Sequence, residues 1–597
     1  MAGPRIHHFV SCLDGASRLL SIRLLLLGPF SSSFDIEMPR WVPGSYLIRE
    51  PLAHVRDISA DGASISRKAE NAYRLRPNAD SEEILISYDL LCPDLTVRTN
   101  HLDNTHLHLV PTFTWFMPSK GWSVGSECTV TLSMPDDWSA ATQLHTYPIQ
   151  TPNHADWKGS NVVSWAPPTI DELYDGVIEA DACPNHSRMM SGVMHHLRIW
   201  DAGGQVVEDE AVERILDSMD KLVAEFVALF GSLPYEEYWI ILFLTGGARG
   251  GLEHLRSQTS MVPRKALWPQ QDDAWRDLVS LLSHEYLHVW NVKRLRPKEF
   301  VEYDLSKESR TDLLWWFEGG TSWLGDIICL KSGVWSEKDW RKDLERKMKR
   351  FLAGDGNRHQ SLTTSSHEAW IHLYRPHPYS RESTISYYLE GEMMMMCIDA
   401  ELRKRSKGES GLETLFAMLW KRHGLDSPVL EELGIRHADI RKGLTSMVGG
   451  KRLGIMLDSL TKQKIKPNLE AAMKIFGLSF EATEKEKEKE KQAWLGLRLS
   501  QKNGLIVVGI QHDSCVRNIL MPDDELISVD GIRLRNSSEL KDALAGKDGT
   551  EIEIMISRHN SIQQFKVVAV AQQAAKVKLV GKGNKLWKAM LESAQDS

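Results

Sequence analysis

The 597-residue sequence predicts a multidomain α+β protein, with a strand-rich first part, a mostly helical middle and a small strand-containing module near the C-terminus. Three observations predict it. From residue 1 to about 167, short apolar runs sit between Gly, Pro, Asn and Asp turns, the pattern of all-β folds. From about 168 to 465, apolar residues recur at steps of three and four, as on buried helix faces. At 484–491 the run EKEKEKEK breaks the globular pattern, and strand signals resume at 493.

Within 1–167, Ile84 to Tyr88 and Cys128 to Leu132 read as strands, and a β-sandwich is the natural fold. Leu24 to Leu27, beside Arg23, is too short to span a bilayer and reads as a buried strand. His101, His106 and His108 could form a metal site. No Cys or paired acid accompanies them in the sequence, so they read as alternating strand histidines.

In the middle part, Asp209 to Phe230 reads as a long amphipathic helix, followed by a strand over Tyr238 to Leu244. The stretch Trp335 to Leu352 reads as a charged helix with a solvated face. Between them lies His284-Glu285-Tyr286-Leu287-His288, an HExxH motif. Residues i and i+4 of a helix share a face, so both imidazoles can reach one metal ion. The intervening Glu sits where it can take a proton from water. Trp275, Leu278, Val279, Leu282, Tyr286 and Val289 supply the apolar stripe of that helix, which Pro297 is expected to stop.

A short motif needs context, and three features supply it. Zinc takes a third protein ligand and keeps one open position in catalytic sites. Glu318, in Leu314-Trp315-Trp316-Phe317-Glu318-Gly319-Gly320, is a carboxylate among aromatics, costly unless paired or metal-bound. Gly250-Gly251-Leu252-Glu253-His254 follows the predicted strand; its glycines allow close backbone approach to a substrate, and Glu253 could hold a substrate amine. Ser386-Tyr387-Tyr388-Leu389-Glu390-Gly391 opens another helix, where a phenol could donate to an oxyanion or simply pack, as Met393 to Met396 beyond it would.

Taken in order, GGLEH, HEYLHVWNVKRLRP, WFEGGTSW and STISYYLEG resemble the glycyl aminopeptidases that carry a PDZ domain, which are gluzincins. Met38 to Glu50 and Ala369 to Pro376 resemble further segments of that family, so the likeness runs over nearly the whole chain. The resemblance implies a thermolysin-like catalytic unit over 168–465, one zinc ion per chain on His284, His288 and Glu318, and Glu285 as general base. It implies Glu253, with Gly250 and Gly251, as the grip on a free α-amine. Tyr388 would be the oxyanion donor, with Tyr387 as the neighbour to test beside it. It also implies a preference for N-terminal Gly or Ala. Leu255-Arg256, Gly320 and Trp323 depart from the family pattern near the expected substrate pocket.

Residues 493–572 resemble a PDZ domain. Leu495, Gly496 and Leu497 would form the loop that receives a peptide C-terminus, Asp524 to Gly531 a turn-flanked strand, and Ser538 to Leu544 a helix. Ile519 and Asp523 stand where glycines are common. Residues 466–492 read as a charged linker and 573–597 as a tail.

The formal charge of −8 argues against nucleic-acid binding, and Lys293, Arg294 and Arg296 are expected to pair with acids near the site or to pack after the helix. The beginning of the chain lacks a charged-then-apolar leader pattern, and no stretch has transmembrane length. Seven scattered cysteines without CxxC spacing point to the cytoplasm, with Cys329 and Cys397 in the core. The sequence therefore predicts a zinc aminopeptidase acting on peptides with a free N-terminus. A PDZ-guided endopeptidase and a PDZ adaptor with a relic metal site are the alternatives.

Overall fold

A computed structural model describes residues 5–12, 15–30, 32–119, 128–148, 161–425, 432–448, 450–489 and 492–592. The start of the chain, the last two residues of the EKEKEKEK run and 593–597 lie outside the described residues.

The N-terminal region is β-rich. A six-stranded sheet runs in the order Asn161–Trp165, Cys128–Met134, Ile6–Ser11, Leu19–Leu27, Glu83–Leu91, Val55–Asp61. In Glu83–Leu91 burial alternates residue by residue, so Ile84, Ile86, Tyr88 and Leu90 face the core shared with Leu20, Ile22 and Leu24. A four-stranded sheet that includes Phe34–Glu37 and Ala72–Pro77 adds to this core. A third sheet joins Ser139–Thr142, Ile178–Asp181, His106–Leu109 and His101–Leu102. The β-rich region thus runs to Asp181, past the expected boundary at 167, because Ile178–Asp181 pairs with His106–Leu109.

The histidines of this third sheet do have an acid beside them, contrary to the sequence expectation. Arg18 Nη1 donates to His101 Nε2 (3.1 Å), so His101 Nδ1–H donates to His106 Nε2 (2.7 Å). His106 Nδ1–H then donates to Glu179 Oε1 (2.6 Å), whose Oε2 receives His108 Nδ1–H (3.0 Å). Because Arg18 can only donate, the tautomers of His101 and His106 follow from it. Glu179 lies 71 residues from His108, which is why no local sequence pattern revealed it.

The middle region begins with a five-stranded sheet ordered Asn185–Met190, Val193–Asp201, Glu237–Thr245, Ser257–Pro263, Gly250–Glu253. The helix Asp209–Phe230 connects two parallel strands of it and buries Val212, Ile215, Met219, Val223 and Phe226 at helical spacing. Gly231, at φ 91°, ends that helix. Gly250–Glu253 is the edge strand, antiparallel to Ser257–Pro263.

The motif helix is Asp272–Leu287, and its end differs from the expectation. It stops at Leu287 rather than near Pro297. His288 caps it, Lys293 N–H donates to His288 O (3.1 Å) and Leu295 N–H to Trp290 O (2.7 Å), while Val292 takes φ 112°. A compact turn closed by backbone hydrogen bonds ends the helix before the proline can. Lys293 pairs with the buried Asp175, and Arg296 with Asp171. Trp315–Gly320 forms a π-helical turn leading into the helix Thr321–Lys331, a geometry often found at functional sites. The helix Leu389–Ser406 is buried on nearly all sides, Met393 to Met396 included.

The helix Glu337–Leu352 is not merely a solvated face. Lys347 is buried and pairs with Asp326, Asp343 (2.9 Å) and Glu392 (2.7 Å). Two of these acids come from other helices, so the cluster is invisible in the charge pattern of this one.

The expected linker and tail are folded. Leu469–Ile475 is a helix, and Ser479–Ala482 pairs antiparallel with Lys576–Val580. The terminal helix Lys585–Leu591 places Trp587 against Trp340 (ring centroids 5.1 Å) and Phe476. Between these strands lies a separate small core. It comprises the sheet Leu497–Ser500, Ile506–Ile510, Glu525–Val529, Glu551–Arg558, Ser561–Val568 and the helix Ser537–Ala543. No helix among the described residues is long and apolar enough to cross a membrane.

Candidate active site

A cleft of about 530 Å³ is lined by His284, Glu285, His288, Glu318, Glu253, Gly250, Gly251 and Tyr388. Residues from four sequence regions therefore meet in one place.

His284 Nε2 and His288 Nε2 are 3.1 Å apart, and each lies 3.5 Å from Glu318 Oε2. Ligand atoms at about 2.0–2.1 Å from a tetrahedral zinc ion are separated by about 3.3–3.4 Å, so this triangle fits that ion. The donor set, two imidazoles and a carboxylate, suits zinc chemically as well. Glu253 and Glu285 also approach His288, but that grouping offers only one nitrogen.

The surrounding groups fix the donors. His288 Nδ1–H donates to Asn291 O (2.8 Å), leaving Nε2 free of a proton for coordination. Asn291 is itself held, donating to Thr321 Oγ1 (2.9 Å) and accepting from Trp316 Nε1 (3.1 Å). Ser322 Oγ lies 3.3 Å from His284 Nδ1. Burial opposes the charge on Glu318, but the two imidazoles that face it outweigh burial and hold the carboxyl down at about 2. Burial pushes the Glu285 carboxyl up to about 8, against the pull of His288.

Glycines set the approach of the elements. A Cβ at 251 would collide with the Glu285 carboxylate, so the edge strand can lie against Glu285 only with Gly at that position. Gly319 and Gly391 meet backbone to backbone: a Cβ at 319 would fall 2.7 Å from Gly391 Cα. That contact brings the π-helical turn bearing Glu318 onto the start of the helix that follows Tyr388. Gly251→Ala is expected to push the Glu285 carboxylate out of its place and lower kcat roughly 10²-fold, the scale set by misplacing a reacting group, with metal content unchanged. Metal analysis beside steady-state kinetics checks it; an unaltered kcat would show that Glu285 does not depend on this contact.

The two tyrosines part ways. Tyr388 lines the cleft with its ring centroid 6.1 Å from that of His284, whereas Tyr387 is fully buried and stacks beneath it at 4.9 Å. Burial, reinforced by Glu318, raises the Tyr388 hydroxyl, so it stays a donor. Glu253 is 4% exposed and its Oε1 has no hydrogen-bond partner among the described residues.

Several lining residues escape sequence reasoning. Gly44 reaches the cleft from the N-terminal region, where a Cβ would fall 2.5 Å from Glu253 Oε2, and behind the lining the buried Tyr46 hydroxyl points at Glu318 Oε1 (3.5 Å). Arg98 donates to Gly251 O (3.1 Å). The segment Met38 to Glu50, singled out above, contains the first two; nothing local marks Arg98.

This arrangement is that of a metal-dependent hydrolase. Residues 277–394 match the family model of the M61 glycyl aminopeptidases, and residues 9–180 match that of the peptidase M61 N-terminal domain. The chain is a metallopeptidase of the aminopeptidase type. Among solved structures, an aminopeptidase N family protein from Idiomarina loihiensis shares the fold, with a TM-score of 0.88 at 23% identity over 98% of this chain and 100% of the other. The M1 zinc metallopeptidase of Deinococcus radiodurans, solved as a variant with a Tyr-Ser-Ala substrate, is more distant: TM-score 0.47, 12% identity, 78% of this chain and 95% of that one. No curated protein matches the chain.

Proposed function

We propose that the chain removes single N-terminal residues, small ones by preference, from peptides with a free α-amine, using one zinc ion held by His284, His288 and Glu318. Bound there, the ion supplies a Lewis acid that acidifies water and polarises a carbonyl. Glu285 takes the proton of the attacking water and returns it to the leaving amine. The Tyr388 hydroxyl donates to the carbonyl oxygen as charge builds on it. Glu253 pairs with the substrate ammonium and so fixes the cut one residue from the N-terminus.

The observation that carries this reading is the buried Glu253 Oε1 beside Glu285, which has no hydrogen-bond partner among the described residues. A buried carboxylate oxygen without a donor is costly, and a substrate ammonium supplies the missing donor. The test is Glu253→Ala assayed on free and N-acetylated peptides. Turnover of the free amines should fall roughly 10²-fold, as when one partner of a buried charged pair is lost (about 2–5 kcal/mol), while metal content is unchanged. Equal loss on both substrate classes would rule out amine anchoring.

The C-terminal module supports a second role. Its groove of about 340 Å³ lies between Trp494 to Leu497 and the helix residues Ser537, Leu540 and Leu544, where a PDZ domain adds a peptide strand. In this reading Leu495, Gly496 and Leu497 receive a peptide C-terminus, and the alternative activity is endopeptidase action on chains delivered there. Cleavage of N-acetylated peptides would favour it. Seven scattered cysteines, none in CxxC spacing, support a reducing, cytoplasmic setting.

A further inference from the structure

We propose that the cleft also anchors a carboxylate of the peptide substrate, through Arg350. The inference rests on the aminopeptidase reading and adds a substrate class to it.

One wall of the cleft carries four cations, Arg249, Arg346, Lys347 and Arg350, although the chain as a whole has a charge of −8. Three are committed within the protein. Arg249 pairs with Asp277 (2.7 Å), Arg346 with Asp343 (2.6 Å) and Asp277 (3.5 Å), and Lys347 with the buried acids already described. Arg350 is different. It is exposed to the cleft and makes no ion pair or hydrogen bond among the described residues. Arg346, Arg249 and Arg381 act on it, as does Glu392, which Lys347 already holds (2.7 Å).

A guanidinium is always charged and presents a planar fork that fits a carboxylate in two parallel hydrogen bonds. Set among other arginines, it gains most from an anion that relieves their repulsion. The same cleft holds Glu253, whose partner is cationic. An ammonium site and a carboxylate site in one cleft would orient a short peptide from both ends. The carboxylate has two sources, the C-terminus of a short peptide or an acidic side chain downstream of the cut.

Zinc-loaded full-length enzyme and its Arg350→Gln variant, each given Ala-Ala-Ala, Ala-Ala-Ala-amide and Ala-Ala-Glu-amide, test this. The wild type should cleave Ala-Ala-Ala with kcat/KM roughly 10-fold or more above its amide, the scale of one charge-assisted contact, mostly through KM. Arg350→Gln should erase that preference while leaving the plain amide unchanged, which also shows that the variant is folded. Preference for Ala-Ala-Glu-amide alone, erased in the same variant, would assign the site to side-chain carboxylates. Equal cleavage of all three by the wild type, or equal slowing of all three by Arg350→Gln, would overturn the carboxylate site and leave the aminopeptidase standing. Cleavage of none would overturn both.

Discussion

Glu285→Gln should leave the metal in place and remove nearly all turnover. The substitution keeps the shape of the side chain but cannot accept a proton, and general-base catalysis is worth roughly 10²–10⁴-fold. Glu285 lies outside the His284–His288–Glu318 triangle, so zinc content measured on the purified variant should match the wild type. The close fit against Gly251 argues that the amide will occupy the same space. Retained zinc with a normal kcat would sink the assignment of the base. Lost zinc would instead make Glu285 part of the metal shell, as its proximity to His288 allows.

Tyr388→Phe should lower kcat by roughly 10²–10³, the usual effect of deleting one oxyanion donor, with KM and zinc content nearly unchanged. Tyr387→Phe is the control. Its ring is buried beneath Tyr388 and does not line the cleft, so its hydroxyl should matter far less to kcat. Parallel assays of the two variants on one free-amine peptide decide the matter. A larger loss at 387 than at 388 would reverse their roles and require the helix start to shift on substrate binding.

Local rules mark part of this cleft in the sequence, while the roles proposed for Tyr388 and Glu253 follow from the family resemblance. The HExxH spacing puts two imidazoles on one helix face, and the alternation in Ile84 to Leu90 marks a half-buried strand. Glu318 was found from the cost of a carboxylate among Trp315, Trp316 and Phe317. What the sequence hid depends on long-range pairing. Glu179 meets His106 across 73 residues, and Arg98 reaches Gly251 across 153. Lys347 is one more charge on a polar helix in the sequence, and its partners Asp326 and Glu392 come from other helices. The early end of the motif helix likewise depends on backbone hydrogen bonds that no residue type announces.

The strands Ser479–Ala482 and Lys576–Val580 run antiparallel to each other, and so do Ala493–Trp494 and Val570–Ala571. The small C-terminal module is therefore an insertion on a two-stranded stalk rather than a bead at the end of a string. Both of its tethers leave the main body side by side, and Arg517 pairs with Glu382 while Arg498 Nη2 donates to Pro378 O (2.7 Å), so the module is seated against that body as well as tied to it. The stalk also makes the module removable: joining its strands by a short turn should leave the terminal helix still docked through Trp587. Cutting the chain ahead of the module would carry that helix away with it and leave Trp340 and Phe476 bare.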